Sequence, residues 1–255
     1  MSSLNENGVS RCGLKARPLY YRQLAVFFSG PSKVEVFIMQ KYLNGTKWYT
    51  KLAFSPFLAK KHATHKIAYL GLVTALLTVC NAFLEIKFVD VQFSVTIFVS
   101  VISGIILGAG AGFLVCMIGD ALGFMICSWG YLYMPWVGLT LAVSSLFAGL
   151  IFYFIKMNFK GSTFIKLLLI CICSLFLGTV LINSTGFYIY NDKMGFSTAF
   201  NDFVSSRFGG KTPYIAYVVY RLFFKGQIFN CLFNYALIFF ITPMILRSDY
   251  FKKTI

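Results

Sequence analysis

The sequence predicts an all-α integral membrane protein with six transmembrane helices and both termini on the cytoplasmic side. Three observations carry that prediction. Of 255 residues, 58% are hydrophobic and only 12% charged, about half the charged share of an ordinary soluble domain. The mean hydropathy is +0.74. The apolar residues also gather into runs of the length that a ~30 Å hydrocarbon core demands, about 20 helical residues each. A net charge of +15 would suggest nucleic acid in a polar chain. Here the basic residues lie between apolar runs, where they report orientation instead, and no nucleic-acid partner is expected.

The elements follow in order. Residues 1–65 are polar and basic, and no apolar run among them is long enough for the core of a signal peptide. The longest, from Val34 to Met39, is broken by Glu35. The expectation is a loosely ordered cytoplasmic segment, with residues 1–38 outside the natural protein if translation starts at Met39. Residues 66–255 form the membrane domain. Its apolar segments run over 66–86, 91–107, 109–127, 136–155, 163–185 and 226–245. The second and third are separated only by Gly108, Ala109 and Gly110, which predicts a tight helical hairpin. The connection 186–225 is long, and its aromatic and basic end, Tyr214 to Lys225, is expected to begin the sixth helix early.

Charge then orients the domain. With the N-terminus inside, 17 of the 23 Lys and Arg fall on the inner side and 6 on the outer, the direction of the positive-inside rule. The length leaves no room for a nucleotide-binding domain beside six spans, and no GxxxxGK[ST] run is present. Any use of ATP therefore requires a partner. Six of the seven Cys lie inside apolar runs, where Cys behaves as a small hydrophobe. No metal or cofactor is expected.

The strongly polar residues collect in the outer half. Asn81 and Glu85 end the first span and Gln92 begins the second. Asp120 lies past the middle of the third, Asn183 and Thr185 close the fifth, and Gln227 and Asn230 open the sixth. The outer connection between the third and fourth spans holds Trp129, Tyr131, Tyr133 and Trp136. Amides, one carboxylate and aromatic rings at one end suggest a pocket for a flat, hydrogen-bonding organic ligand. Each group has a plainer alternative. The aromatics fit an interfacial belt. Gln227, Asn230 and Asn234 share one helix face, which suits bonds between helices as well as ligand contact. Asp120, costly in a span, needs a partner that is the ligand, a proton or a hydrogen bond from another helix. Small residues form a second pattern. Gly71, Ala75, Thr78 and Ala82 give the first span one smooth face, and Gly104, Gly108, Gly112, Gly119 and Gly123 do so around the second and third. Such faces pack helices within a protein or dock another membrane protein.

Several of these residues carry a resemblance. Ser103-Gly104-Ile105-Ile106-Leu107-Gly108, then Gly119-Asp120-Ala121-Leu122-Gly123, are followed by Tyr133-Met134-Pro135-Trp136-Val137-Gly138-Leu139-Thr140 and Ala148-Gly149-Leu150-Ile151. The chain resembles the substrate-binding S components of energy-coupling factor (ECF) vitamin transporters, their folate family most closely. The likeness covers about 66–155 well. It continues more weakly through Leu181-Ile182-Asn183-Ser184-Thr185 to Arg221. The long connection from Thr185 to Arg221 and the N-terminal extension depart from the family pattern.

The resemblance implies a non-catalytic, multi-pass subunit in a bacterial plasma membrane that captures a vitamin outside. It implies a membrane coupling subunit and two cytoplasmic ATPases as partners, and a subunit that topples in the membrane to deliver its cargo. Gly71, Ala75 and Thr78, with Ala82, match the position of the family's docking motif. For a folate or related pterin, Trp129, Tyr131 or Tyr133 would stack on the rings. Asp120 or Asn183 would take ring N–H groups, and Arg221 with Lys225 would hold a glutamate tail. An S component for another vitamin or small precursor is the alternative. A self-contained proton-coupled carrier using Asp120 is a weaker one. A membrane-embedded enzyme is weaker still, because no paired acid and base lie at depth.

Overall fold

The computed structural model describes residues 48–88, 91–128, 132–155, 161–209 and 213–247. The expectations for residues 1–38, and for Trp129 and Tyr131, lie outside the described residues. Two short helices precede the first long one, α1 (Trp48–Ala53) and α2 (Pro56–Ala59). Ser55 caps α2, its Oγ accepting the Leu58 N–H at 3.2 Å, and Pro56 sits in the first turn where its missing N–H costs nothing. The Ser55 N–H and Oγ–H donate to Leu107 O (2.8 Å) and Ile106 O (2.6 Å). Phe57 and Leu58 are thereby fully buried beside Leu107, Ala111 and Val115. The end of the segment expected to be loose is therefore docked, because burying two large apolar side chains offsets the cost of ordering a few residues.

Helix α3 (Ala63–Phe83) turns Val73, Leu77 and Cys80 inwards and leaves Leu72, Leu76, Val79 and Phe83 exposed. An apolar surface of that kind suits hydrocarbon, not water. A hairpin follows, β1 (Glu85–Phe88) paired antiparallel with β2 (Val91–Ser94), in register Glu85 with Ser94 and Phe88 with Val91. This corrects the second predicted span, which began at 91. Alternating β-branched and aromatic residues favour strand there. Helix α4 (Thr96–Leu107) keeps 12 residues, about 18 Å at 1.5 Å per residue and too short to cross a bilayer.

Gly108 joins α4 directly to α5 (Ala109–Ile126) with a φ of 106°, and a Cβ there would meet Ser55 N at 2.3 Å. A left-handed residue crossed closely by another backbone is a place for glycine. Helix α6 (Pro135–Phe154) packs on α4, α5 and α7. A Cβ on Gly104 would lie 2.0 Å from Ser145 O, and one on Gly149 would lie 2.5 Å from Ala109 N. The glycines of these helices thus serve packing inside the bundle. Hydroxyl pairs add to it, Ser103 with Ser145 at 3.0 Å and Ser144 with Ser174 at 2.9 Å.

Helix α7 (Ser162–Met194) is 33 residues long, with Ser174–Ser184 π-helical, and so runs well past its predicted end at 185. Helices α8 (Thr198–Phe208) and α9 (Tyr214–Phe224) occupy the rest of the expected connection. Gly226, with φ 65°, then breaks the chain before α10 (Gln227–Arg247). Tyr214–Phe224 is therefore a separate helix and not an early start of the last one. Among the described residues, α3, α5, α6, α7 and α10 are long and apolar enough to cross a membrane, and α4 and α9 are shorter apolar helices. The chain is an all-α integral membrane protein, with the small hairpin as its one departure among the described residues.

Candidate functional site

At the end of the bundle where α7 outlasts its neighbours, a cavity of about 570 Å³ opens between α6, α7, α9, α10 and the junction of β2 with α4. Pockets for small organic molecules usually measure about 300–1,000 Å³. The unbroken course of α7 brings Asn183 and Phe187, one turn apart, onto its wall. The turn at Gly226 folds α9 back on α10, so that Arg221 meets Gln227.

Arg221 is the best-defined group of the wall. Its Nη1 donates to Asn183 O at 3.1 Å and its Nη2 to Gln227 Oε1 at 2.9 Å, and its guanidinium lies 4.0 Å from the centre of the Phe187 ring. These partners are neutral, and among the described residues no carboxylate pairs with it. Lys225 also lines the cavity, whereas no Asp or Glu among the described residues does. Asn183 is 8% exposed, and its side-chain oxygen is buried without a hydrogen-bond partner. A buried acceptor without a partner costs about 1–3 kcal/mol, and this one is sealed from the cavity. Asn230 lines the same wall and is 9% exposed.

The other predicted site residues fall elsewhere. Asp120, 3% exposed, lies outside the cavity lining. Asn81 Nδ2 donates to its Oδ1 at 3.1 Å and to its main-chain oxygen at 3.2 Å, and Tyr133 lies near the same carboxylate. Tyr133 does not line the cavity. Thr185 pairs its hydroxyl with Tyr214 OH at 2.9 Å, also off the lining. The stripe on α3 divides. Gly71 and Ala75 are exposed, whereas Thr78 and Ala82 are buried, and Thr78 Oγ1 donates to Gly119 O at 3.4 Å.

Sequence reasoning missed part of the wall. Tyr190 and Asn191 lie beyond the predicted end of α7, and Phe196, Ser197 and Phe200 lie at the start of α8. The aromatic run of 186–200 was the available signal. It forms a cluster of its own, in which Phe200 packs edge-on against Tyr217 at 5.3 Å and Tyr220 at 5.2 Å.

A family model described as "ECF-type riboflavin transporter, S component" matches residues 61–220. The chain belongs to that family. No curated protein matches it. As an ECF S component it is a substrate-specific membrane subunit of a transporter and not an enzyme. S components bind a vitamin and work with a membrane coupling subunit and ATPases. The matched region takes in α3 to most of α9, so the wall that carries Asn183 and Phe187 lies within it.

Proposed function

We propose that this S component captures folate or a related pterin in the cavity between α7, α9 and α10. The observation that carries the reading is Arg221, a partly buried guanidinium held by neutral groups in a lining that contains a second cation and, among the described residues, no acid. A cation away from bulk water gains most from an anion that arrives with the ligand. The glutamate tail of a folate supplies carboxylates, and its rings suit the Phe187 and Tyr190 side of the wall. Asp120, already bonded to Asn81, has no part in the capture.

Riboflavin is the second reading, favoured by the description of the matching family. Titration calorimetry of the purified protein in detergent with folate and riboflavin separates the two. Folate is expected to bind with a Kd below ~1 μM. Riboflavin binding at that strength with no heat from folate would replace the first reading by the second.

The bias of basic residues supports a cavity end that lies outside and termini that both lie in the cytoplasm. Capture is then external, in a bacterial plasma membrane, and release follows docking on the coupling subunit and its two ATPases. The open part of the α3 stripe, Gly71 and Ala75, is the docking face in this reading, and Thr78 and Ala82 support it from within.

A further inference from the structure

Helices α9 and α10 meet at Gly226, and the side chains around that elbow share one polarity. Arg221 on α9, Lys225 beside the elbow, and Gln227 and Asn230 on the first turns of α10 all line the cavity. A guanidinium has five N–H groups and no acceptor. Arg221 gives two of the five, to Asn183 O and Gln227 Oε1, which leaves three uncommitted among the described residues.

The two amides are oriented by what their oxygens receive. Gln227 Oε1 accepts from Arg221 at 2.9 Å, and a guanidinium offers nothing to an amide nitrogen in its place. Asn230 Oδ1 accepts the Ser94 main-chain N–H at 3.0 Å, which likewise only donates. Each amide therefore turns its NH2 group elsewhere. Neither nitrogen has a partner among the described residues, and neither is sealed inside the protein. Asn230 is 9% exposed, so its nitrogen is a nearly buried donor on the cavity wall. The two residues stand three positions apart on one helix face, with about 5–6 Å between such Cβ atoms, a gap that one carboxylate or phosphate group spans. Gln227 also opens α10, and the first turn of a helix favours negative charge.

A wall of donors suits one kind of ligand group. A neutral carbonyl offers two lone pairs, whereas a carboxylate offers about four and a charge to match the guanidinium. We infer that Gln227 and Asn230 are specificity-determining residues, which with Arg221 form a cradle of donors for an oxyanion. The vitamin taken is then an acid, held by a carboxylate of a folate tail or by the phosphate of a flavin mononucleotide. Neutral riboflavin leaves the cradle unfilled. The inference rests on the proposed capture of a vitamin in this cavity and deepens it by naming the group that the elbow selects.

The test is titration calorimetry on the purified full chain in detergent with two matched pairs, folate with its α,γ-diamide and riboflavin 5′-phosphate with riboflavin. Within the pair that binds, the acid is expected to bind at least ~10-fold more tightly than its neutral partner. Asn230→Asp and Gln227→Glu keep the oxygens that Ser94 and Arg221 need, but exchange the NH2 donor for a second oxygen and a negative charge. In each variant the acid is expected to lose at least ~30-fold and the neutral partner less than ~3-fold. Equal losses of acid and neutral partner would make the amides structural and overturn the inference, and so would an acid preference unchanged in both variants. In the wild type, folate that binds no better than its diamide overturns the cradle and leaves the proposed function standing. Riboflavin that binds as well as its phosphate, with no heat from folate, overturns both. A preference for riboflavin 5′-phosphate with no heat from folate supports the cradle, fills it with a phosphate and removes the proposed function. No heat from any of the four sinks the proposed function and this inference with it.

Discussion

Two polar groups of this bundle differ in what remains unbonded. Around Asp120, the carboxylate has the Asn81 amide as partner, and the bond ties α3 to α5. Around Arg221, the cation has only neutral partners among the described residues, and the Asn230 N–H groups have none there. From a sequence, Asp120 is the more arresting residue, a lone carboxylate in a span. The structure reverses that order. A costly polar group whose valences are met within the protein is a structural tie, and a site shows itself by valences left for something else. What is left over here has a definite polarity, with the Arg221 guanidinium on α9 and the N–H groups of Asn230 on α10.

The sharpest way to break the comparison is Arg221→Ala. If the cation is there for the ligand, its loss removes a charged hydrogen bond worth about 2 kcal/mol, or roughly 30-fold in folate affinity. Thermal unfolding in detergent is expected to move little, because the guanidinium contributes only two neutral hydrogen bonds and a ring contact to the fold. A large drop in stability with unchanged affinity would make Arg221 a tie like Asp120.

Much of this was legible in the sequence, and the limits have physical causes. Composition, run lengths and small-residue spacing supply the membrane class and the close packing of α4, α5 and α6, because these depend on local pattern. The polar face of α10 was also legible, as Gln227, Asn230 and Asn234 at helical spacing. Its division of labour was not, since Asn234 is assigned by Phe98 and Ser94, more than 130 positions away. The extent of α7 was missed because Thr185–Met194 is no longer apolar, and hydropathy marks where a helix leaves the membrane, not where it ends. The break at Gly226 was missed for the opposite reason. One left-handed residue inside an apolar stretch leaves no trace in hydropathy.

Asp120→Asn and Asp120→Leu sharpen the comparison from its other side. Asn keeps an acceptor for Asn81 and is expected to change stability slightly. Leu leaves the Asn81 amide without its carboxylate partner, a loss of about 1–3 kcal/mol in unfolding free energy. Folate affinity in both variants is expected to stay within ~3-fold of wild type. A collapse of affinity in Asp120→Asn, with the fold intact by circular dichroism, would return the carboxylate to the binding site.

The smallest expected effect comes from Thr185, next to the cavity wall but not on it. Its hydroxyl pairs with Tyr214, which also donates to Val180 O at 3.1 Å, so the bond fastens α9 to the upper part of α7. Thr185→Val keeps the shape and deletes the hydroxyl. Tyr214 retains its carbonyl acceptor, so no buried donor is stranded, and the cost is that of one ordinary hydrogen bond, about 1 kcal/mol. Since α9 carries Arg221, any slackening is expected in the rate of vitamin release before it is seen in Kd, an increase of about 2-fold to 5-fold by stopped-flow fluorescence. A loss as large as that of Arg221→Ala would mean that Thr185 itself meets the ligand, and the boundary drawn here between wall and support would have to move outwards by one helical position.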